Sequence, residues 1–531
     1  MTTQPLGAQI SQMLKDRGVD TIFGIPGVHN VELYRGIEQA GITHILARHE
    51  QGAGFMADGY ARASGKPGVA YVITGPGLTN MLTSLGQAYS DSVPVLAISS
   101  CLDETSAQRG QLHQMRDQRM AAETVCAWSE EARSASAAYA LIDRAFDQFA
   151  STRPRPCHLQ VSINTLGAQA DQAPAAPVSR PAVAAASHAD VYRAVEAVLS
   201  ARKPLFVFGG GAVAGSAVVP DLLRQTGAAS FVTYAARGVV PSGQPLYFGS
   251  TLARPDSAEI AAQADLVIAV GTSLSEVDLW RPVLGHTAPM IRIDIDPENF
   301  AGLGPQDTAI LADAGAFLKA MTIAIPARTD DMAPKWDAAA VARKRAAWCA
   351  KVDAERPGIV PVCTALRDVL PNDTMVFSDM TQFAYGAKEV WDMPRAGHWH
   401  HPYGFGTLGY ALPAAIGGAV ARPGQPTLAI AGDYGLQYTI QELGTAVELG
   451  LPLPIIVWDN GKLGEIEDSM VRSQIAPNAV VARNPDFLLL AQAYGAGAVQ
   501  PDSLKALQNA VLAAFSADTP TLIRVTPDIA A

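Results

Sequence analysis

Short, uninterrupted apolar runs separated by helix-length segments are the feature that most constrains how this chain can fold. Three of these runs are GVAYVIT (68–74), ADLVIAVGT (264–272) and PTLAIAGD (426–433). A strand that is apolar along its whole length is buried on both faces, and helical connections between such strands produce parallel sheets. The pattern therefore predicts α/β domains, whose ligands bind beyond the carboxyl ends of the strands.

Two stretches interrupt this pattern and divide the chain of 531 residues. Residues 167–187 are rich in Ala, Pro and Ser without apolar periodicity, which is typical of a linker. Residues 326–357 begin irregularly and become helical, which indicates a second connector. The predicted fold is three doubly wound α/β domains with mainly parallel sheets, at 1–166, 188–325 and 358–531.

The charge of the chain excludes some partners. A formal net charge of -11 disfavours nucleic acid and anionic membranes, which select clustered Lys and Arg. The N-terminus has no apolar core of a signal peptide, and no apolar run approaches the about 18 residues of a membrane span. The five cysteines lack C-x-x-C spacing, so neither a zinc site nor a disulfide framework is expected. We predict a cytoplasmic protein.

Polar residues follow two neighbouring apolar runs of the last block. Asp433 ends one run, and Asn460 follows the next, 27 positions further on. A carboxylate and an amide oxygen at adjacent strand ends can share Mg²⁺, which would bridge to a phosphate. Gly432 and Gly435 would let the backbone approach that phosphate, with the helix expected at 439–450 aiming its N-terminus there. Taken alone, G-D-x-G is more often a tight turn.

Several ordered motifs give this site its context. The sequence resembles the thiamine diphosphate-dependent enzymes of the acetolactate synthase, benzoylformate decarboxylase and pyruvate decarboxylase group, whose signature is G-D-G followed at an interval by N-N. The resemblance covers nearly the whole chain and implies pyrimidine-binding, middle and diphosphate-binding domains. Its segments are HEQGAGFMADGYARASGKPGV (49–69), TGPGLTN (74–80), GFGTLGYALPAA (404–415) and IQELGTAVELGLPL (440–453).

The resemblance implies that Asp433, the Asn460 side chain and the Lys462 carbonyl hold Mg²⁺, which clamps the diphosphate. Tyr434 replaces the second Gly of G-D-G and Asp459 replaces the first Asn of N-N, while the ligand pair is retained. The implied cofactor-binding residues are Glu50, Thr74, Asn80, Gln382, Gly406, Leu408, Gly432, Asp433, Tyr434, Gly435 and Asn460.

Glu50 matches the glutamate that activates the cofactor in this group. A carboxyl group bonded to N1′ of the aminopyrimidine favours the imino tautomer, whose N4′ then removes the weakly acidic thiazolium C2 proton. An isolated Glu at this position would be read as a solvated surface charge. The resemblance also implies that Gly406 offers its carbonyl to N4′, that Leu408 wedges beneath the bent cofactor, and that Gln114 lies near the thiazolium.

Histidines are the candidates for proton transfer. His29 falls on the first βα loop, where it is either a catalytic acid/base or an ordinary loop histidine. His398, His400 and His401 precede the GFGTLG segment and could relay protons or, His401 in particular, contact substrate. Metal binding by these three histidines is not favoured, because no Cys or acidic residue is adjacent in the sequence.

Glu465 bears on the substrate. Acetolactate synthase-like relatives have an apolar residue there, whereas a carboxylate would repel a second carboxylate and attract a guanidinium. In this respect the chain resembles decarboxylases of 5-guanidino-2-oxopentanoate. The alternative is that Glu465 only stabilises the N-terminus of the helix beginning EIEDSM.

The function predicted from the resemblance is thiamine diphosphate- and Mg²⁺-dependent, non-oxidative decarboxylation of a 2-oxo acid, with a cationic side chain as the candidate specificity. The alternatives are an acetolactate synthase-type carboligase, which joins the enamine to a second carbonyl compound, a flavin-containing oxidase, and a non-catalytic relative. Retention of Glu50, Asp433 and Asn460 argues against the last of these.

Two further expectations concern assembly and the middle domain. In this group the cofactor lies between the first block of one subunit and the third block of another, which implies a homodimer at least and commonly a homotetramer. The middle block carries Gly209-Gly210-Gly211 after an apolar run but lacks G-x-G-x-x-G spacing. FAD is therefore not expected there, although the segment leaves FAD or ADP binding open.

Overall fold

A computed structural model describes residues 3–104, 109–326, 332–481 and 483–530 of the chain. Each of three domains is built on a parallel sheet of five or six strands, which confirms the predicted fold class. Among the described residues, no helix combines the length and the apolar character needed to cross a membrane.

The first domain holds eight strands, of which six form one parallel sheet. The strands are β1 Gln4–Pro5, β2 Thr21–Gly24, β3 Thr43–Leu46, β4 Gly68–Val72, β5 Val95–Cys101, β6 Trp128–Ala132, β7 Cys157–Ser162 and β8 Gln169–Ala170. The helices are α1 Leu6–Asp16, α2 Val31–Tyr34, α3 Glu50–Ser64, α4 Pro76–Asp91, α5 Gln118–Glu123, α6 Ala135–Ser151 and α7 Ile163–Gly167. The sheet order is β3-β2-β4-β5-β7-β6, and β1 pairs antiparallel with β8.

The predicted linker at 167–187 is partly structured. Strand β8 lies within it and is tied to the first domain through β1, whereas residues 171–187 contain no helix or strand.

The middle domain has a five-stranded parallel sheet in the order β10-β9-β11-β12-β13, formed by β9 Pro204–Phe208, β10 Ala229–Val232, β11 Leu266–Val270, β12 Met290–Asp294 and β13 Thr308–Leu311. The helices are α8 His188–Ser200, α9 Val219–Thr226, α10 Ser257–Ala261, α11 Glu276–Leu279 and α12 Ala314–Ala324. Strand β9 leads into a 3-10 helix at Gly210–Val218.

The third domain is preceded by helix α13 Ala338–Glu355, which lies in the predicted connector 326–357, of which residues 327–331 are outside the described part. Its strands are β14 Met375–Ser378, β15 Trp399–His400, β16 Thr427–Gly432, β17 Pro454–Trp458, β18 Gly497–Val499 and β19 Thr521–Val525, in the order β15-β14-β16-β17-β19-β18. The remaining helices are α14 Ile359–Val369, α15 Gln382–Val390, α16 Ala411–Ala421, α17 Asp433–Thr439, α18 Leu443–Glu448, α19 Gly464–Arg472, α20 Phe487–Ala493 and α21 Leu504–Ala514.

The first and third domains share a core. Helix α3 packs against α16 so closely that a Cβ on Gly59 would lie 2.0 Å from the Ala414 carbonyl oxygen, and one on Gly417 would lie 1.9 Å from that of Met56. Glycine permits this backbone-to-backbone approach because it has no side chain. The Tyr410 hydroxyl donates to Asp58 Oδ1 across the same contact at 2.7 Å. The two domains of one chain are thus fixed to each other, and polar residues gather at the carboxyl edge of each sheet.

Candidate active site

The carboxyl edge of the first sheet brings together a set that we call the first-domain cluster: His29, Glu50, Thr74, Asn80 and His113. Glu50 is the first residue of α3, and the His49 ring caps that helix by accepting from the Gln51 amide. Asn80, in α4, donates through Nδ2 to Glu50 Oε2 at 2.9 Å. The structure therefore places two of the predicted cofactor-binding residues in direct contact.

His29 contacts a histidine that the sequence did not single out. Its Nδ1 lies 3.3 Å from Nδ1 of His113, and the two rings meet edge to face. Burial, followed by the charge of His113, lowers the pKa of His29. A Cβ on Gly75 would lie 2.4 Å from the His113 carbonyl oxygen, so the loop after β5 is pressed against the end of β4.

Thr74 and Gln114 bond within the first domain. The Thr74 hydroxyl is buried and is hydrogen-bonded to the Ser100 hydroxyl at 2.8 Å, so it holds the end of β4 to β5. Gln114 Oε1 accepts from the Gln111 amide at 3.1 Å, which shapes the loop that carries His113.

The carboxyl edge of the third sheet carries the third-domain cluster: Gln382, Asp433, Asp459, Asn460 and Asn484. Strands β16 and β17 are neighbours, so Asp433 and Asp459 emerge side by side. Asn484 Nδ2 donates to Asp433 Oδ2 at 2.7 Å and to Asp459 Oδ1 at 3.0 Å. Burial raises the pKa of Asp433, and the neighbouring Asp459 raises it further. Two carboxylates on one amide make a site suited to a hard cation.

Asn460, which directly follows Asp459, forms a second network with Gln382. Its Nδ2 donates to Gln382 Oε1 at 2.9 Å, and its Oδ1 accepts from the Lys462 amide at 3.3 Å. Gln382, at the start of α15, donates in turn to Asp468 Oδ2 at 3.3 Å. The outer oxygen of Asp459 pairs with Arg524 at 2.7 Å. Asp433 and Asn460 thus follow neighbouring strands, and Gln382 contacts Asn460.

The segment after β16 differs from the expected turn. Helix α17 begins at Asp433 itself, and the helix expected at 439–450 is a 3-10 turn, Ile440–Glu442, followed by α18. Tyr434 is half-buried in the first turn of α17, where a side chain is tolerated. Gly435 is required by packing, because a Cβ there would lie 2.6 Å from Asp379 Oδ2.

The loop Gly404–Gly409 is held by Asp379, a residue that the sequence did not assign. Asp379 Oδ2 accepts from the Gly409 amide at 2.9 Å, and burial raises the pKa of Asp379 to about 6. Gly406 and Gly409 both have positive φ, which glycine adopts without strain. Leu408, the expected wedge, is half-buried.

The histidines before this loop are mostly enclosed. His401 is buried against the Ser378 hydroxyl at 3.0 Å, and burial holds its pKa well below the ordinary value. His398 lies 3.4 Å from Asp373, so an acidic partner is present after all, brought close by the fold. Within the described residues, no group of three or more His, Cys, Asp or Glu side chains could hold a metal ion.

Glu465 lies in the first turn of α19, directly after Gly464, whose Cα packs against the Gln382 amide. Its two carboxylate oxygens lie 3.0 and 3.3 Å from Nη2 of Arg356. Both side chains are partly exposed, at 31% and 20%. The carboxylate at the edge of the third-domain cluster thus already binds a guanidinium.

The middle domain borders a cavity of about 560 Å³ at the carboxyl edge of its sheet. Gly210, Gly211, Thr272 and Asp294 are among the residues that line it. The expectation that this region does not bind FAD stays a prediction.

Comparison with protein families agrees with this architecture. Three family models of thiamine pyrophosphate enzymes match the chain. They are the N-terminal TPP binding domain at residues 5–121, the central domain at 191–321 and the C-terminal TPP binding domain at 379–525. The chain belongs to the thiamine pyrophosphate enzyme family, which confirms the resemblance drawn from the motifs.

Individual relatives align along nearly their full length. The probable 2-ketoarginine decarboxylase AruI of Pseudomonas aeruginosa is 43% identical over 531 residues, covering 98% of this chain and 94% of that protein. The acetolactate synthase isozyme 2 large subunit of Escherichia coli K12 is 30% identical over 532 residues, covering 98% and 95%. The acetolactate synthase of Arthrospira platensis is 32% identical over 562 residues, covering 97% and 93%.

The residues present fit the cofactor of this family. The Glu50 carboxylate has Oε1 available beside the oxygen that Asn80 occupies, and Asp433 with Asn460 provides the hard oxygen donors that a metal–diphosphate pair requires. In the described part of one chain, no hydrogen bond joins Glu50 to the third-domain cluster.

Proposed function

We propose that this enzyme uses thiamine diphosphate and Mg²⁺ to decarboxylate, without oxidation, a 2-oxo acid whose side chain is cationic, such as 5-guanidino-2-oxopentanoate. The observation that supports the cationic specificity is the position of Glu465, a partly exposed carboxylate that follows Gly464 next to the Gln382 amide. The 43% identical relative, whose name is that of a probable 2-ketoarginine decarboxylase, supports the same substrate class.

Glu465 is suited to this role by position and by capacity. It follows Gly464, which contacts Gln382, so it borders the residues proposed to hold the diphosphate. A carboxylate offers about four lone-pair positions, of which Nη2 of Arg356 occupies one on each oxygen, and Nη2 of Arg472 lies 4.0 Å from Oε1. A substrate guanidinium would take a remaining position or displace one of these arginines. A guanidinium–carboxylate contact is charge-assisted and directional, which distinguishes an arginine-derived acid from pyruvate.

The cofactor supplies an electron sink for the loss of CO2. We assign Glu50 to the aminopyrimidine N1′, with Asn80 fixing its carboxylate. Asp433, the Asn460 side chain and the Lys462 carbonyl would hold Mg²⁺. Around them, the other residues proposed to bind the cofactor are Thr74, Gln382, Gly406, Leu408, Gly432, Tyr434 and Gly435.

Proton delivery distinguishes a decarboxylase from a carboligase. His29 is half-buried and paired with His113, and its lowered pKa makes its protonated form a stronger acid than an ordinary imidazolium. The neighbouring ring can exchange a proton with it over 3.3 Å. We assign this pair, with Gln114 on the same loop, to protonation of the carbon that loses CO2, whereas buried His401 is a weaker candidate for substrate contact.

A homodimer, and by extension a tetramer, would bring Glu50 of one chain to the third-domain cluster of another. Apolar side chains are exposed next to both clusters, as expected for surfaces that a second copy covers. These side chains are Val28, Leu112, Tyr438, Ile466 and Val481.

The carboligase alternative is supported by the acetolactate synthases, which are 30% and 32% identical over nearly the whole chain. Product identification separates the two functions. A carboligase joins two carbonyl compounds, whereas a decarboxylase releases an aldehyde.

The decisive experiment measures CO2 release and products from 5-guanidino-2-oxopentanoate, pyruvate, benzoylformate and branched 2-oxo acids, with cofactor and Mg²⁺ supplied. We expect strong preference for the guanidino acid. In Glu465→Gln we expect its KM to rise about 10-fold or more, because a hydrogen bond to a charged group is lost, with kcat less affected.

The matched control is Glu196→Gln, which removes an exposed carboxylate from α8 of the middle domain and should leave both parameters unchanged. An equal KM change for pyruvate and the guanidino acid would contradict the role of Glu465. Acetolactate as the main product from pyruvate would favour the carboligase, and no CO2 release from any acid would contradict decarboxylation itself.

A further inference from the structure

Glu442 is a buried carboxylate of the third domain that lies against the start of helix α3 in the first domain. It ends the 3-10 turn Ile440–Glu442 and is fully inaccessible to solvent. In the described part of the chain, no cationic group lies within ion-pairing distance of it. Burial raises the pKa of Glu442 to about 7, and the hydrogen bonds that its carboxyl group accepts oppose that shift.

The hydrogen bonds of Glu442 reach across 394 positions to the backbone before Glu50. The Arg48 amide donates to both carboxylate oxygens, at 3.1 and 3.0 Å. Thr445, one turn later, lies 3.1 Å from Glu442 Oε2 and donates to the Leu46 carbonyl at 3.0 Å. These contacts hold the chain from β3 to the first turn of α3.

Space around Glu442 is equally restricted. A Cβ on Gly52 would lie 2.2 Å from Glu442 Oε1, so the first turn of α3 is seated directly on the carboxylate. Glu442 thus contacts the backbone that leads into α3 and the first turn of that helix, on either side of Glu50.

We infer that Glu442 is a positioning residue for Glu50: through the Arg48 amide and its contact with the first turn at Gly52, it fixes the start of α3 so that the Glu50 carboxylate is aimed at the cofactor. This inference rests on the proposed role of Glu50. It adds a contribution from the third domain of the same chain, whereas the diphosphate opposite Glu50 would be held by the third domain of a partner.

The test uses the full-length protein and two readouts that do not depend on substrate. The first is amide hydrogen exchange of the peptide covering residues 46–52 in the apoprotein. The second is exchange of the thiazolium C2 proton of bound thiamine diphosphate with deuterium. In Glu442→Gln we expect amide exchange about 10-fold faster and C2 exchange about 10-fold slower, because a buried amide–carboxylate bond is replaced by a mismatched one.

In steady-state kinetics of Glu442→Gln, kcat should fall in parallel with the rate of C2 exchange. KM and the dissociation constant of thiamine diphosphate should stay within about twofold of the wild type, because the contacts that bind substrate and cofactor are unchanged. The control is Glu448→Gln, which removes an exposed carboxylate of α18 that contacts the Arg48 guanidinium rather than its amide. All readouts of that variant should match the wild type.

Normal C2 exchange in a folded Glu442→Gln protein would overturn the inference. If that variant does not fold, Glu442→Asp keeps the charge but withdraws the carboxylate by one methylene, and unchanged C2 exchange there would overturn it equally. Glu50→Gln separates the two proposals. If Glu50→Gln leaves C2 exchange normal, the role of Glu50 is wrong; if it slows exchange while the Glu442 variants do not, only the present inference is wrong.

Discussion

The first-domain and third-domain clusters occupy the same kind of place, the carboxyl edge of a parallel sheet, but they are built differently. In the third-domain cluster, Asn484 bridges Asp433 and Asp459, and Gln382 binds Asn460. In the first-domain cluster, Glu50 takes a single described bond, from Asn80. The third-domain cluster thus holds its side chains through several internal hydrogen bonds, whereas in the proposed assembly Glu50 would offer its other oxygen to a cofactor held by a partner chain.

The largest effect should come from the less connected cluster. Glu50→Gln should slow decarboxylation by on the order of 100-fold or more, because an amide cannot share a proton with N1′ as a carboxyl group does. Steady-state kinetics at saturating cofactor and Mg²⁺ measures the loss. Glu38→Gln, an exposed carboxylate of the same domain, serves as the control. Near-normal turnover of Glu50→Gln would refute the assignment of Glu50 to cofactor activation, and the two clusters would then differ in structure only.

The two clusters also differ in how far the sequence could predict them. Glu50, Asp433 and Asn460 sit in short motifs beside apolar runs, so their positions were predictable together with the strands. Asn484 was not, because it joins the cluster from 51 positions beyond Asp433, after a loop without its own pattern. The contact of Glu442 with Arg48 could not be predicted for the same reason, because the two residues are 394 positions apart.

Packing hid the remaining residues. Asp379 looks like an ordinary strand-end acid, and only the fold shows that it binds the Gly409 amide and excludes a side chain at Gly435. His113 follows no motif of its own, and its pairing with His29 depends on how the loop after β5 folds back. Apolar runs predict sheets, whereas contacts between loops depend on tertiary structure.

The second prediction concerns the connected cluster. Asn484→Ala removes the amide shared by Asp433 and Asp459, so the two carboxylates lose the donor that orients them. Groups that orient metal ligands typically contribute about 10-fold to 100-fold in metal affinity. We expect the Mg²⁺ concentration for half-maximal activity to rise by that range, with Asn80→Ala as the matched amide removal in the first-domain cluster.

The two asparagine variants should affect different steps. Asn80→Ala should slow cofactor activation and leave the Mg²⁺ dependence unchanged, whereas Asn484→Ala should change the Mg²⁺ dependence. If Asn80→Ala weakens Mg²⁺ as much as Asn484→Ala does, the clusters are not independent. If neither variant changes it, Asp433 and Asp459 are oriented by the backbone alone.

The smallest expected effect is on the pH dependence of stability and concerns Asp379 in the third domain. Burial raises the pKa of Asp379 from 3.8 to about 6, so the folded protein binds its proton more tightly than the unfolded chain does. The stabilisation is complete below the unfolded pKa and is lost as pH rises through about 6. Between about pH 5 and about pH 7, the free energy of unfolding should fall by about 1 kcal/mol more in the wild type than in Asp379→Asn.

Urea unfolding of the apoprotein at the two pH values measures this difference, and Asp502→Asn, an exposed acid of the same domain, should retain the wild-type slope. The bond from the Gly409 amide to Asp379 lies within the protein, so the pH dependence should already be present in the apoprotein. If the pH dependence appears only after the cofactor is added, the cofactor orders the third-domain cluster. Both clusters would then depend on the cofactor for their arrangement.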